Sequence, residues 1–243
     1  MLSLLKRDSS ALPGFVENLP IEGQDRLALF DADGTLYTDD VADDFAVYAL
    51  QQKIISSEEI WQEYLELYPR DPVAGCALAL KLYRGLASAE LSQLVEKWWQ
   101  THAKRNWVTP VMEALFHLKS RGYTIWVVTG TATEFLEPLR TVLPIDKILG
   151  MDFEYDQQGL ITGEVAGIAC AGEGKAIKVR SLWSGGSIDF ACGNSMMDIP
   201  MLELSQKLCW SVYPDQDFHN EALKRQWQIT PRPVDFTEEN KFS

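Results

Sequence analysis

The chain has 243 residues, 46% of them hydrophobic and 23% charged, and its formal net charge is −13. A chain of this length can bury enough apolar surface for one large domain, and its composition argues against a disordered, collagen-like or coiled-coil protein. The strong negative charge repels nucleic-acid phosphates and anionic lipid headgroups, so we expect no nucleic-acid partner and no membrane partner.

The ends of the chain and the cysteines indicate a cytoplasmic protein. The N-terminal apolar run is short and is followed by Lys6 and Arg7, an order that does not match a secretion signal. No run approaches the roughly 18 apolar residues that cross a bilayer. The four cysteines lack CxxC spacing, which favours reduced, buried thiols.

Strand-like and helix-like patterns alternate along the chain, which favours an α/β layer architecture. Short apolar runs predict buried parallel strands at residues 26–30, 123–128, 145–149, 187–192 and 208–213. Helical periodicity predicts helices at residues 109–120, 131–143 and 174–183, the first of them capped by Thr109. The first 24 residues and the tail after Thr230 are predicted to be loosely held.

Residues 40–107 interrupt this alternation, because they contain no strand-like run and their pattern predicts three or four amphipathic helices. Further along, residues 152–165 predict a β-hairpin with its turn at residues 156–159. We therefore expect a doubly wound, mostly parallel α/β core formed by residues 1–39 and 108–243. The helical insertion at residues 40–107 would form a cap, and the hairpin a small addition to the core.

The strongest chemical signal lies at the end of the first predicted strand, where residues 30–36 read FDADGTL. Asp31 and Asp33 flank a chain reversal there, and ligands of parallel sheets bind at the carboxyl ends of the strands. An acidic turn and a calcium loop are the alternative interpretations. The calcium loop is disfavoured because Ala42 stands where an EF-hand requires a bidentate glutamate.

Three further segments place polar groups at the ends of predicted elements. Thr129 and Gly130 close the second predicted strand, where a hydroxyl and free backbone N–H groups suit an anion. Lys175 opens a predicted helix, and Asn194 and Asp198 follow the fourth strand. Taken one at a time, these segments can be interpreted as a helix cap, a surface lysine and a polar loop. Together, in this order and at these strand ends, they predict one site.

These four segments resemble, in order, the four motifs of the haloacid dehalogenase superfamily, and the resemblance extends from about residue 26 to residue 218. The insertion at residues 40–107 is similar to the C1 cap of that superfamily. The hairpin and the run DIPML at residues 198–202 are similar to the phosphoserine-phosphatase-like branch. The resemblance implies a Rossmann-like core that carries a hydrolase site.

The resemblance also implies an activity, namely Mg²⁺-dependent hydrolysis of a small phosphomonoester through an aspartyl phosphate. Asp31 would be the nucleophile, and Asp33 would protonate the leaving alcohol and later activate water. Thr129, Gly130 and Lys175 would bind the transferred phosphoryl group. Phosphate esters are favoured over halides as substrates, because Asp33 supplies the acid that an alkoxide leaving group needs.

The Mg²⁺ ligands implied by the resemblance are the Asp31 carboxylate, the Asp33 carbonyl and a group from the fourth motif, Asn194 or Asp198. Most relatives carry an aspartate where Asn194 stands, so we expect a weaker Mg²⁺ site with retained turnover. Two alternatives remain open: a degenerate relative that binds a phosphorylated ligand or a partner without turnover, and a phosphotransferase.

The predicted cap is rich in aromatic residues, with eight of the sixteen Trp and Tyr residues of the chain. They are Tyr48, Trp61, Tyr64, Tyr68, Tyr83, Trp98, Trp99 and Trp107. Either they hold a small cap together, or some of them form a cage for a cationic group. The candidate substrates are phosphocholine, phosphoethanolamine and phosphoserine.

Phosphoserine would need a cation in the cap for its carboxylate. The available residues are Lys53, Arg70, Lys81, Arg84, Lys97, Lys104 and Arg105. The acidic pairs Asp39-Asp40 and Asp43-Asp44 either add negative charge around the site or form the acidic start of a cap helix, and the helix dipole favours the second interpretation.

Overall fold

The computed structural model describes residues 8–20, 24–55, 57–101 and 106–233. Six strands form one sheet in the order β3-β2-β1-β6-β7-β8, and every pairing in it is parallel. A separate antiparallel pair, β4-β5, is the predicted hairpin. The strands are β1 Leu27–Phe30, β2 Thr124–Ala132, β3 Lys147–Met151, β4 Phe153–Tyr155, β5 Ile161–Val165, β6 Ile188–Gly193, β7 Leu208–Val212 and β8 Gln228–Thr230.

Helices flank this sheet and form the segment between β1 and β2. They are α1 Gly14–Glu17, α2 Val41–Gln51, α3 Glu58–Leu67, α4 Pro72–Ala79, α5 Ser88–Thr101, α6 Thr109–Ser120, α7 Thr133–Leu136, α8 Glu173–Leu182, α9 Ile199–Leu202 and α10 Gln216–Lys224. The predicted doubly wound α/β class is therefore confirmed. No helix in the described ranges combines the length and the apolar character that crossing a membrane requires.

The strand order reverses beside β1, and this reversal determines where a ligand can bind. From β1 the chain adds β2 and β3 on one side and β6, β7 and β8 on the other. A crevice opens at such a switch point outside the carboxyl ends of the strands. All four residues of β1 are buried, so the segment that follows it is anchored at the centre of the molecule.

The second half of the sheet differs from the prediction in two places. The helix predicted at residues 131–143 is wrong at its start, because β2 continues to Ala132. The remainder is the short helix α7 and a 3-10 turn over Glu137–Thr141, since Pro138 lacks the N–H that a continuous helix needs there. Strand β8 has only three residues and was not predicted.

The N-terminal region is held more firmly than predicted. Val16 and Leu19 are buried, and the ring of Phe15 lies 5.3 Å from that of Trp210. The expectation of a loose segment is wrong for residues 8–20, because these apolar side chains pack on the core. At α6 the cap position is occupied by Val108, without a side-chain cap, and Thr109 is the first helical residue.

Residues 40–107 contain α2, α3, α4 and α5, and no described residue of this range belongs to either sheet. Asp40 caps α2, and its side chain accepts a hydrogen bond from the Asp43 N–H at 3.0 Å. Asp71 caps α4 in the same way, with Pro72 in its first turn. The division of the chain into a core and a cap at residues 40–107 remains a prediction.

Candidate active site

Asp31 lies directly after β1, at the point where the strand order reverses. Its backbone N–H donates to the carbonyl of Cys192 on β6 at 3.0 Å, and the residue is 4% exposed. One carboxylate oxygen accepts from Lys175 Nζ at 2.7 Å, and the other accepts from Thr35 Oγ1 at 2.8 Å. Donors on opposite sides therefore orient this carboxylate.

Lys175 links two carboxylates inside the protein. Its ammonium donates to Asp31 at 2.7 Å and to Asp198 at 2.5 Å, and all three side chains are buried. Burial by itself would lower the pKa of Lys175, but the negative charges of Asp198 and Asp31 outweigh it and hold this pKa above its ordinary value. The lysine is therefore a fixed cation beside Asp31.

Asp198 uses both of its oxygens within the protein. One accepts from Lys175, and the other accepts from the N–H groups of Asn194 and Ser195 and from the Ser195 hydroxyl. The sequence expectation named Asp198 as an alternative metal ligand. These contacts hold Lys175 and the loop after β6, and the metal-ligand role of Asp198 stays a prediction.

Asp33 has partners on both the core and the α2 side. One oxygen accepts from Thr131 Oγ1 at 2.6 Å and Thr129 Oγ1 at 3.2 Å, and the other accepts from the Val41 N–H at 2.7 Å. Burial, and next the charge of Asp40, raise the pKa of Asp33 to about 7. Burial, and next the charge of Asp198, also raise the pKa of Asp31. A carboxyl with a pKa near neutrality can both give and take a proton.

Gly34 allows the loop after β6 to approach this pair of aspartates. Its φ is +75°, and a Cβ built on it would lie 2.0 Å from the side-chain nitrogen of Asn194. Only glycine combines this backbone conformation with so close a neighbour. The DADG reversal and Asn194 are therefore packed against each other.

Three oxygen atoms converge at this contact. The side-chain oxygen of Asn194 lies 3.2 Å from the Asp33 carbonyl oxygen and 3.2 Å from a carboxylate oxygen of Asp31. If the Asn194 amide is rotated by 180°, its nitrogen donates to both of these oxygens. In the present orientation, three acceptor oxygens face one another. Octahedral Mg²⁺ ligands at 2.0–2.1 Å from the ion stand about 3 Å apart, so the unturned set fits a small hard cation.

This oxygen set differs from a cluster of acidic side chains. Within the described ranges, no group of three or more His, Cys, Asp or Glu residues is arranged to hold a metal. The fit depends instead on one carboxylate, one backbone carbonyl and one amide, from Asp31, Asp33 and Asn194.

A cavity of about 410 Å³ opens in front of Asp31. The sequence-predicted residues Asp31, Asp33, Thr129, Gly130, Lys175 and Asn194 line it, and Asp198 contacts it through Lys175. The wall formed by α2, α3, α4 and the following turn contributes carboxylates and aromatic rings. Those residues are Asp39, Asp40, Asp43, Asp44, Trp61, Tyr64, Tyr68 and Tyr83, and Cys76 adds a thiol.

Sequence reasoning missed two threonines of the site. Thr35 orients Asp31 and Thr131 orients Asp33, but neither was singled out. Thr131 was assigned to a helix; with β2 extended, the period of two places it on the same side of the strand as Thr129. Thr35 was already part of the FDADGTL motif.

The aromatic residues of the predicted cap divide into two groups. Trp61, Tyr64, Tyr68 and Tyr83 line the cavity, whereas Tyr48, Trp98, Trp99 and Trp107 do not. Members of the second group pack instead: Trp98 lies against Phe45, and Trp107 against Tyr37. The first group can therefore contact a ligand, whereas members of the second group pack against other aromatic rings.

Comparison with known proteins identifies the class of this chain. A sequence model of the haloacid dehalogenase-like hydrolases matches residues 28–203. Because this match spans more than half of the chain, the protein belongs to the haloacid dehalogenase-like hydrolase family. The match includes Asp31, Lys175 and Asn194, on which the site geometry depends.

Solved structures share the fold. A protein of unknown function from Bordetella pertussis Tohama I is 22% identical with a TM-score of 0.75, over 85% of this chain and 98% of that one. A substrate-bound phosphoserine phosphatase is 19% identical with a TM-score of 0.60, over 88% and 96%. The resemblance to the phosphoserine-phosphatase-like branch is thereby confirmed at the level of fold.

A curated relative matches part of the chain. The inhibition of morphological differentiation protein of Streptomyces azureus is 33% identical over 119 residues. These residues are 46% of this chain and 42% of the relative, so the match spans less than half of that protein.

Proposed function

We propose that this hydrolase is a Mg²⁺-dependent phosphatase that cleaves a small phosphomonoester through a phosphorylated Asp31. The observation that carries the proposal is the buried arrangement around Asp31, with Lys175 and Thr35 on its carboxylate and Asp33 in the same cavity. Fold likeness to phosphoserine phosphatases supports it. Phosphocholine, phosphoethanolamine and phosphoserine are the candidate substrates.

The reaction would proceed in two steps. A carboxylate oxygen of Asp31 attacks phosphorus, the bond from phosphorus to the ester oxygen breaks, and Asp33 donates its proton to the departing alcohol. Water then attacks the phosphorus of phosphorylated Asp31 while Asp33 takes a proton from the water. The bond between phosphorus and the Asp31 carboxylate oxygen breaks, and inorganic phosphate leaves. Thr131 and the Val41 N–H hold Asp33 in place for both transfers.

Charge balance assigns the phosphate-binding groups. Lys175 provides a permanent positive charge next to Asp31, and Thr129 and Gly130 line the same part of the cavity. We propose that these groups bind the phosphoryl oxygens, which carry most of the negative charge of the transition state.

We propose that Asp31, the Asp33 carbonyl and Asn194 hold the Mg²⁺ ion. When bound, the ion neutralises phosphoryl charge and orients the transferred group. Asp198 is proposed to position Lys175 and the loop of Asn194, since its oxygens already accept from both.

The test is hydrolysis of p-nitrophenyl phosphate with Mg²⁺ by the wild-type chain and by Asp31→Asn. Without the nucleophile, kcat should fall by about a thousandfold or more. Asp217→Asn, a change at an exposed position of α10, is the matched control and should keep full activity. Full turnover by Asp31→Asn, or fluoroberyllate trapping that leaves Asp31 unmodified, would contradict the proposal.

A further inference from the structure

One helix lines the cavity with aromatic rings. Trp61, Tyr64 and Tyr68 are spaced by three and four residues, so they lie on one face at α3 and its C-terminal end. The ring centroids of Trp61 and Tyr64 are 5.1 Å apart, and those of Tyr64 and Tyr68 are 5.4 Å apart. We call these three residues the aromatic wall. Aromatic rings at a cavity wall can attract a cation.

The first turn of α2 brings negative charge to the aromatic wall. Tyr64 donates its hydroxyl to Asp43 at 2.7 Å. Burial, followed by the charges of Asp43 and Asp40, holds the pKa of Tyr64 above its ordinary value. The same two carboxylates raise the pKa of Tyr68 after burial and Cys76. Tyr64 and Tyr68 are therefore within the electrostatic influence of Asp40 and Asp43.

Tyr83 provides an independent sign of a ligand. The residue lines the cavity and is 2% exposed, and its buried hydroxyl has no hydrogen-bond partner among the described residues. Burial, and then the charge of Asp43, raise the pKa of this hydroxyl above its ordinary value. A buried hydroxyl without a partner costs free energy, which a ligand with polar hydrogens can recover.

In the described part of the chain, the basic residues that line the cavity lie outside residues 40–107. Lys175 and Arg232 are the basic residues that line the cavity there, and Lys175 is bonded to Asp31 and Asp198. The described cap cations do not line it: Lys53, Arg70, Lys81, Arg84 and Lys97. Lys104 and Arg105 lie outside the described residues. The described cap wall therefore favours a positive leaving group over a carboxylate.

We propose that the substrate is the phosphate ester of a small amino alcohol, whose protonated primary amine lies between Tyr83, the aromatic wall and the α2 carboxylates Asp40 and Asp43. This inference rests on the proposed function and defines its leaving group. A primary ammonium has N–H groups for the Tyr83 hydroxyl and for carboxylates, whereas a quaternary ammonium has none. The proposal therefore selects phosphoethanolamine-like over phosphocholine-like esters.

The experiment compares kcat/KM for phosphoethanolamine and n-propyl phosphate, which differ by an ammonium in place of a methyl group. We expect phosphoethanolamine to be better by about tenfold or more. Phosphocholine and phosphoserine are the other substrates tested, and both should have a lower kcat/KM than phosphoethanolamine. A ratio near one, or a preference for either of these two esters, would overturn the proposal.

Matched variants assign the preference to the residues. Tyr83→Phe should reduce the ratio several-fold. Tyr123→Phe, which removes a hydroxyl bonded to Asp189 outside the cavity, should leave it unchanged. Asp43→Asn should also reduce the ratio, and Glu59→Gln, in the first turn of α3, should not. If Tyr83→Phe and Asp43→Asn both fold and both keep the full ratio, the assignment is wrong.

Failure of this inference is distinguishable from failure of the proposed function. Turnover of p-nitrophenyl phosphate with no preference for the amine rejects the leaving group and leaves the phosphatase in place. If no ester is cleaved, calorimetric binding of phosphoethanolamine and n-propyl phosphate to the wild-type chain decides. Tighter binding of the amine supports the proposed pocket, and equal affinities overturn it.

Discussion

At the scale of single residues, the site depends on a glycine that has no chemistry of its own. Gly34 has a left-handed backbone and touches Asn194, whereas Gly159 has nearly the same φ, +77°, with open space around its Cα. The two positions share the backbone requirement and differ in the neighbour. Alanine substitutions at these two glycines therefore distinguish the cost of backbone strain from the cost of displacing Asn194.

We expect Gly159→Ala to lower the free energy of unfolding by about 1–2 kcal/mol, the cost of an L-residue in this conformation. Gly34→Ala should cost about 1–3 kcal/mol more because its Cβ collides with Asn194, and it should also abolish turnover. Urea unfolding and activity measured on both variants check this. Equal losses of stability with activity retained in Gly34→Ala would contradict the proposed packing.

Asn194 determines the charge of the oxygen set. An amide oxygen binds a divalent cation less strongly than a carboxylate, because it carries only a partial charge. Asn194→Asp should therefore tighten Mg²⁺ binding by about tenfold, measured by calorimetric titration of the metal alone. Asn220→Asp, on α10, is the matched control for added negative charge. Equal Mg²⁺ affinity in wild type and Asn194→Asp would remove Asn194 from the ligand set.

At the scale of elements, helix starts in the segment between β1 and β2 differ in how they are capped. Asp71 accepts the Ala74 N–H at 3.0 Å, whereas Ser57 occupies the corresponding position of α3 with no side-chain cap bond. Helix α4, which begins directly after Asp71, contributes Cys76 to the cavity. Its first turn thus connects local sequence to the cavity wall.

Asp71→Ala should lower the free energy of unfolding by about 1 kcal/mol, since it leaves an N–H at the start of α4 without its partner. Ser57→Ala should change it by only a few tenths of that amount, because no bond is lost. Urea denaturation of both variants tests the difference. Equal effects would show that the Asp71 cap contributes nothing to stability.

At the scale of the whole molecule, the strand order gathers groups from three distant segments. Asp31 and Asn194 follow neighbouring strands β1 and β6, and Thr129 lies on β2, at the other side of β1. The helical segment then covers these strand ends. A ligand that contacts both parts should bind the folded chain and stabilise all of it.

Fluoroberyllate with Mg²⁺ should therefore raise the melting temperature by roughly 5–10 °C at a hundredfold excess over Kd. Neither component alone should do so, and a chelator should reverse the shift. In Asp31→Asn the shift should be lost, because the attachment point is gone. Calorimetry checks these outcomes, and an undiminished shift in Asp31→Asn would place the ligand elsewhere.

The sequence alone was sufficient for the class of fold and for the polar residues that follow the strand ends. Buried strands are continuous apolar runs, and the DADG reversal is a local pattern, so both can be predicted from neighbouring residues. The prediction was poorest where local signals are weak. The three-residue β8 and the end of β2 depend on pairing with a neighbouring strand, which no single segment reveals.

Only the tertiary structure decided which side chains meet. Spacing along the chain placed Asp198 among possible metal ligands, but its oxygens accept from Lys175 and the loop after β6. The same holds for the aromatic residues between β1 and β2, of which some line the cavity and others pack. Periodicity defines the face of an element; which neighbour that face meets depends on long-range packing, because contacts between distant segments leave no local signal.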